Sequence, residues 1–167
     1  METRASIKGH PIHVILIPLP LGLWAFALVA DVAAAITGAA EWRTVAYYCI
    51  GGGLVGALLA AVFGLVDLLG VHDPQPRRTG FIHMALNLGA VAVFGLNFFL
   101  RMNAPDHSGA LWLTLAGVVL VAISGWLGGE LVHRYGVGVL PPDGNAKAVA
   151  PARREAHGTG LVEREVR

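Results

Sequence analysis

The chain has 167 residues, of which 55% are hydrophobic and only 14% are charged, and its mean hydropathy is +0.63. A soluble domain carries about a quarter charged residues, so this composition excludes a soluble cytosolic enzyme. The net charge of +1 provides no basic field that would attract nucleic acid, and we expect no nucleic-acid partner. The single cysteine, Cys49, cannot form an internal disulfide.

Four apolar segments, taken in chain order, each reach the roughly 20 residues that a membrane-spanning helix needs. They cover residues 14–36, 45–69, 81–100 and 111–132, and short polar loops join them. Loops this short place consecutive helices antiparallel. The sequence therefore predicts an all-α integral membrane protein with a four-span domain at residues 1–135, an up-down-up-down four-helix bundle in the lipid bilayer.

Other local features refine this architecture. Pro18 and Pro20 predict a kink in the first segment. Small residues at four-residue spacing in the second segment, such as Gly56 and Ala60, predict close helix contacts. Residues 136–167 contain too few large apolar side chains to form a core and predict a flexible cytoplasmic tail. We find no internal repeat in the sequence, and homo-oligomers remain possible.

The distribution of Lys and Arg near the span ends predicts the orientation. One side of the bundle has only Arg43 and Arg101. The side that holds both termini and the second loop has six such residues: Arg4, Lys8, Arg77, Arg78, Arg134 and Lys147. Both termini are therefore predicted to be cytoplasmic. The alternative, a cleaved signal peptide at the first segment, fits poorly with the length of that segment and with its prolines.

Polar side chains concentrate at the cytoplasmic end of the predicted bundle. The starts of spans one and three and the ends of spans two and four share one depth there, and these places contain His10, His13, Asp67, His72, His83, Asn87, Glu130 and His133. Glu130 and His133 are three residues apart and share a helix face, as His10 and His13 do if the first helix begins before His10. Ionisable groups inside a membrane are costly, which makes them functional candidates.

Three chemistries are open for this cluster. Two imidazoles from facing helices can ligate haem b axially, which predicts cofactor binding by His13 and His83, with His133 as a further candidate. A single transition metal is the second possibility, and its candidate ligands are His10, His13, Asp67, His83, Glu130 and His133. Either cofactor indicates an electron-transfer or redox-associated subunit, while an enzymatic activity is neither predicted nor excluded. The third possibility is a cofactor-free scaffold or a permease for protons or small solutes, in which the histidines shuttle protons or lie passively at the interface.

Asp31 lies apart from this cluster, deep in the first span and toward the opposite side. Asn97 in the third span and the pair Tyr47 and Tyr48 in the second are predicted to reach it. A buried polar clamp and a step in a proton path both explain such a residue, and we favour the clamp.

Several segments of the chain together resemble the bacterial membrane family catalogued as Domain of Unknown Function 2231. The segments are Gly9-His10-Pro11-Ile12-His13, Ile17-Pro18-Leu19-Pro20-Leu21-Gly22, Asp31, Gly64-Leu65-Val66-Asp67, residues 83–87 and Gly128-Gly129-Glu130-Leu131-Val132-His133-Arg134-Tyr135-Gly136. The resemblance covers roughly residues 9–138 and implies a four-helix protein of the bacterial inner membrane without an assigned activity. Relatives fused to Rieske or cytochrome modules imply a redox partner. This chain has no Rieske cysteines, so that partner would be a separate protein.

Overall fold

The computed structural model describes residues 5–8, 10–104 and 108–139, and it confirms the predicted all-α bundle. A small antiparallel hairpin of two strands, β1 (Ser6–Ile7) and β2 (His10–Pro11), comes first. Five helices follow: α1 (Ile12–Leu16), α2 (Pro18–Thr37), α3 (Ala40–Leu69), α4 (Pro74–Asn103) and α5 (Ala110–His133). The predicted flexible tail falls almost wholly on residues 140–167, which lie outside the described residues.

Four helical segments of the described chain are long and apolar enough to cross a membrane. They are Ile12–Thr37, which combines α1 and α2, and the three helices α3, α4 and α5. Large apolar side chains such as Val55, Val62 and Trp126 are exposed on the outer surface of the bundle. In a membrane protein this surface faces lipid tails, so its exposure is the expected arrangement.

The first span is interrupted where the prolines predict a kink. Helix α1 ends at Leu16, and Pro18 is the first residue of α2, where a missing backbone N–H leaves no donor unpaired. The far end of α2 stops at Gly38, whose φ of 71° is a left-handed conformation that glycine adopts without strain. The short turn that follows returns the chain into α3.

The four spans form a ring in which α2 packs closely on α3, and α4 packs closely on α5. The contacts of α3 with α4 and of α2 with α5 are looser and close the ring. Spans one and three therefore lie diagonally opposite, and only their side chains meet in the centre. The largest of these contacts stacks Trp24 on Phe94, with ring centroids 4.2 Å apart and planes inclined by 14°.

Glycines at the helix contacts make room for these rings. A Cβ placed on Gly53 would lie 2.3 Å from the indole nitrogen of Trp24, and one on Gly117 would lie 2.6 Å from the ring of Phe94. Helices associate in lipid through close packing, because lipid tails are as apolar as the helix surfaces and provide no hydrophobic driving force. These two glycines therefore set how closely the paired helices approach.

We expect the substitution Gly117→Ala to destabilise the bundle by about 1–3 kcal/mol, because the methyl group overpacks the Phe94 ring. Gly125→Ala is the matched control on the same helix, because a Cβ there has open space around it. The control should be neutral or slightly stabilising, since alanine is the better helix former. Thermal unfolding of the detergent-solubilised variants measures both, and equal melting temperatures would contradict this packing.

Candidate functional site

A cavity of about 440 Å³ opens at the end of the bundle where α1 and α4 begin and α3 and α5 end. All four spans contribute to its wall, which is mostly apolar and includes Trp24 at its deep part. The polar side chains that line it are His13, Asp67, His83, Asn87 and His133. This confirms the prediction that the starts of spans one and three and the ends of spans two and four lie at one depth.

His13 is anchored at the wall of this cavity by the second span. Its Nδ1 lies 2.8 Å from the carbonyl oxygen of Ala60, and its ring lies over Gly64, where a Cβ would be 2.9 Å away. Because a carbonyl oxygen can only accept, Nδ1 carries the proton and donates it. In the neutral ring Nε2 then carries the lone pair.

His83 has the same kind of anchor in the fourth span. Its Nδ1 donates to the carbonyl oxygen of Ser124 at 2.8 Å, and its ring lies over Gly128, where a Cβ would be 3.1 Å away. The Ser124 hydroxyl also lies 3.0 Å from Nδ1 and donates to the carbonyl of His83. On the other side of the ring, the Asn87 amide donates to Nε2 at 3.0 Å.

The two imidazoles face each other across the bundle. Their ring centroids are 6.4 Å apart and their planes are nearly perpendicular, at 88°. The structure thus brings together His13 and His83, the two residues for which the sequence predicts axial haem ligation.

The other predicted ligands make separate contacts. His10 lies on β2, is exposed and bonds the carbonyl of Lys8 at 3.2 Å; the first helix begins only at Ile12, so His10 and His13 do not share a helix face. His133 is exposed at the cavity rim. Within the described residues, no three His, Cys, Asp or Glu side chains lie close enough together to hold a metal ion.

Both acidic candidates have partners that the sequence analysis did not name. Asp67 accepts a hydrogen bond of 2.9 Å from the backbone N–H of Ala5, which ties the N-terminal hairpin to the end of α3. Glu130 forms an ion pair of 2.6 Å with Arg134 rather than with His133. This bond raises the pKa of the exposed Arg134 guanidinium.

A second polar cluster is buried at the opposite end of the bundle. One Arg101 guanidinium nitrogen lies 2.8 and 2.7 Å from the two carboxylate oxygens of Asp31, and these residues are only 4% and 5% exposed. The Thr114 hydroxyl donates to the same carboxylate at 2.6 Å, and Arg101 Nε donates to Asn97 at 3.0 Å. No buried polar side-chain atom among the described residues lacks a hydrogen-bond partner.

The sequence predicted Asn97 in the cluster around Asp31 but not Arg101, which was placed in the loop after the third span. The Tyr47 ring instead stacks on Phe98, with centroids 4.5 Å apart. A signal for Arg101 was available, because an acid deep in a membrane segment requires a positive partner, and Arg101 directly follows the third apolar segment at the end of the bundle toward which Asp31 lies.

A comparison with protein-family models matches residues 9–141 to the family described as "Predicted membrane protein (DUF2231)". No curated protein and no solved structure matches the chain.

Proposed function

We propose, from the premise that this chain belongs to the DUF2231 family of predicted membrane proteins, that it is a redox-associated membrane subunit. In this proposal haem b or a single transition-metal ion binds at the cavity through His13 and His83. The redox partner would be a separate protein of Rieske or cytochrome type. The observation that carries the proposal is the pair of opposed imidazoles at the wall of an apolar cavity.

The hydrogen bonds of the pair support ligation. Histidines that bind metals usually donate their other ring N–H to a backbone carbonyl or carboxylate, which fixes the tautomer and the ring orientation. His13 and His83 both donate Nδ1–H to a carbonyl of the neighbouring helix, which leaves Nε2 as the ligating atom. To ligate, His83 exchanges its bond from Asn87 for the bond to the metal.

The distance between the rings agrees with a shared ion. Metal–imidazole bonds are about 2.0–2.1 Å long, so two imidazoles on one ion have centroids roughly 6 Å apart. The observed 6.4 Å is of this size. Haem b, when bound, supplies one-electron transfer, and the apolar wall around Trp24 would contact the macrocycle and exclude water.

The remaining candidate ligands have unequal support. His133 and Asp67 line the same cavity and are the nearest source of further ligands to a small ion. His10 and Glu130 do not line it, and Glu130 is already paired with Arg134. Two imidazoles without a third described ligand favour a haem, which needs only axial ligands, over a fully protein-ligated ion.

One observation favours a second candidate function, a cofactor-free scaffold or a permease for protons or small solutes. Both nitrogens of His83 are already hydrogen-bonded within the protein, by Ser124 and Asn87. An imidazole satisfied in this way also suits a purely structural or proton-shuttling role.

Purified full-length protein should show a Soret band or about one equivalent of a transition metal, because two preoriented imidazoles hold the group. His13→Ala and His83→Ala should each abolish this signal. His72→Ala is the matched control, since His72 is exposed and does not line the cavity. The measurement is an absorption spectrum with metal analysis in detergent.

Wild-type protein that shows neither signal, also after incubation with hemin, would refute the cofactor. A proton flux in liposomes that is lost in His83→Ala would then support the second candidate function.

The orientation with both termini in the cytoplasm is part of the same proposal. The burial of Arg101 in its ion pair supports this orientation, because a buried side chain is not an interfacial charge. Without Arg101, Arg43 is the remaining basic residue counted on the side opposite the termini. The cavity would then open toward the cytoplasm of a bacterial cell.

We expect a cysteine at position 103 to be labelled from outside and a cysteine at position 72 only after permeabilisation. The variants Asn103→Cys and His72→Cys, each in a Cys49→Ala background, provide exposed sites at opposite ends of the bundle. A membrane-impermeant maleimide applied to spheroplasts makes the measurement. Labelling of His72→Cys in intact spheroplasts would reverse the orientation.

A further inference from the structure

Among the residues that the structure describes, three side-chain contacts between spans one and three each connect residues that are 70 positions apart. They are the imidazole pair His13–His83, the ring stack Trp24–Phe94 and the ion pair Asp31–Arg101. A constant separation means that the two spans run parallel and in register; antiparallel helices would give separations that change from contact to contact. Because an α-helix has 3.6 residues per turn, positions 11 and 18 residues after the histidine return to the same helix face.

The second helices of the two closely packed pairs, α3 and α5, also correspond to each other, at a constant separation of 64 positions. Gly53 lies against Trp24, and the carbonyl of Ala60 and the backbone of Gly64 receive His13. The positions 64 residues later, Gly117, Ser124 and Gly128, have the same roles toward Phe94 and His83.

The pattern of burial follows both constants, also at the position pairs 20/90, 27/97 and 50/114, which take no part in these contacts. In the core, the buried residues of α2 at positions 20, 24, 27 and 31 match buried residues of α4 at positions 90, 94, 97 and 101. Likewise, the buried positions 50, 53 and 60 of α3 match positions 114, 117 and 124 of α5. Helical periodicity alone explains the spacing of the buried positions on each helix. The shared contacts at equivalent positions of the two pairs are the additional observation that relates them.

We infer that the chain consists of two copies of one helical hairpin, related by a two-fold axis that runs along the bundle. The first copy comprises α1, α2 and α3, and the second comprises α4 and α5. The paired contacts between spans one and three lie on this axis. His13 and His83 are therefore equivalent residues of the two copies, and each ring is held in the same way against the backbone of the neighbouring helix. This inference stands without the proposed cofactor.

Sequence identity between the two copies is low, which explains why no repeat is visible in the sequence. Ile12-His13 matches Ile82-His83, and Ala46, Gly53, Val55 and Gly64 match identical residues 64 positions later. The separation changes from 70 to 64 because the chain between equivalent positions is six residues shorter in the second hairpin: positions 31 and 46 of the first correspond to positions 101 and 110 of the second. Glycine and histidine are retained where an aromatic or imidazole ring lies against a helix, while most other positions of the spans differ.

The two copies differ where a two-fold axis creates a conflict. Equivalent residues lie opposite each other on such an axis, so identical charges at positions 31 and 101 would repel in a medium that does not screen them. The chain has an acid in one copy and a base in the other. At the other end, Asn87 bonds the Nε2 of His83, whereas the equivalent position 17 is an isoleucine and the described residues provide no bond to His13 Nε2. These differences make the first copy complementary to the second, whereas two identical copies would place like charges against each other.

Exchange of the two charges tests the axis directly. In full-length protein in detergent, Asp31→Ala and Arg101→Ala should each lower the melting temperature by roughly 10 °C, because each leaves a buried charge unpaired. The double exchange Asp31→Arg with Arg101→Asp should restore at least half of that loss, since equivalent positions can exchange roles and Thr114 and Asn97 can donate to a carboxylate at position 101. Recovery of less than half would overturn the two-fold relation.

A second exchange covers the outcome in which the single charge variants do not fold. Trp24→Phe leaves a void and Phe94→Trp overpacks, so each should lower the melting temperature, whereas the double exchange should return it to within about 3 °C of wild type. Exchange of Tyr47 and Phe98 is the control, because these rings also stack but belong to non-equivalent positions of the two copies. A Trp24/Phe94 double variant with additive losses would contradict the inference.

Discussion

The bundle depends on one buried ion pair, between Asp31 of the first span and Arg101 of the third. In a hydrocarbon medium water does not solvate either charge, so separating the two charges costs a large free energy. The pair therefore fixes the relative depth and rotation of the two diagonal helices at this level. Thr114 adds a donor from the fourth span, so that the contact involves three of the four spans.

The position of the histidine pair is a consequence of this constraint. Because spans one and three are parallel and in register at the Asp31 level, the side chains 18 residues earlier must meet at the other end of the bundle. The Trp24–Phe94 stack fills the centre between the two levels. The cavity lies beyond it, where the small residues of α3 and α5 let the imidazoles of His13 and His83 lie against backbone rather than against side chains.

Much of this fold could be predicted from the sequence, because the length of an apolar run and its charged flanks are local properties. The gathering of polar residues at one depth also followed, since it requires only alternating helix directions. The pair His13 and His83 followed from the opposition of spans one and three, but the sequence could not separate this pair from His10 and His133, because the rotation of each helix depends on packing; His10 lies on a strand. The role of Arg101 was missed because a charge at the end of an apolar run resembles an interfacial residue.

The most direct test of this account is a distance measured in lipid bilayers between the guanidinium nitrogens of Arg101 and the carboxyl carbon of Asp31. Solid-state NMR of protein labelled with ¹⁵N-arginine and ¹³C-aspartate measures it, with Arg101→Lys removing the signal for assignment. The account predicts a nitrogen–carbon separation below about 4 Å, as for any direct ion pair. Absence of ¹⁵N–¹³C dephasing at this site would show that spans one and three do not meet there.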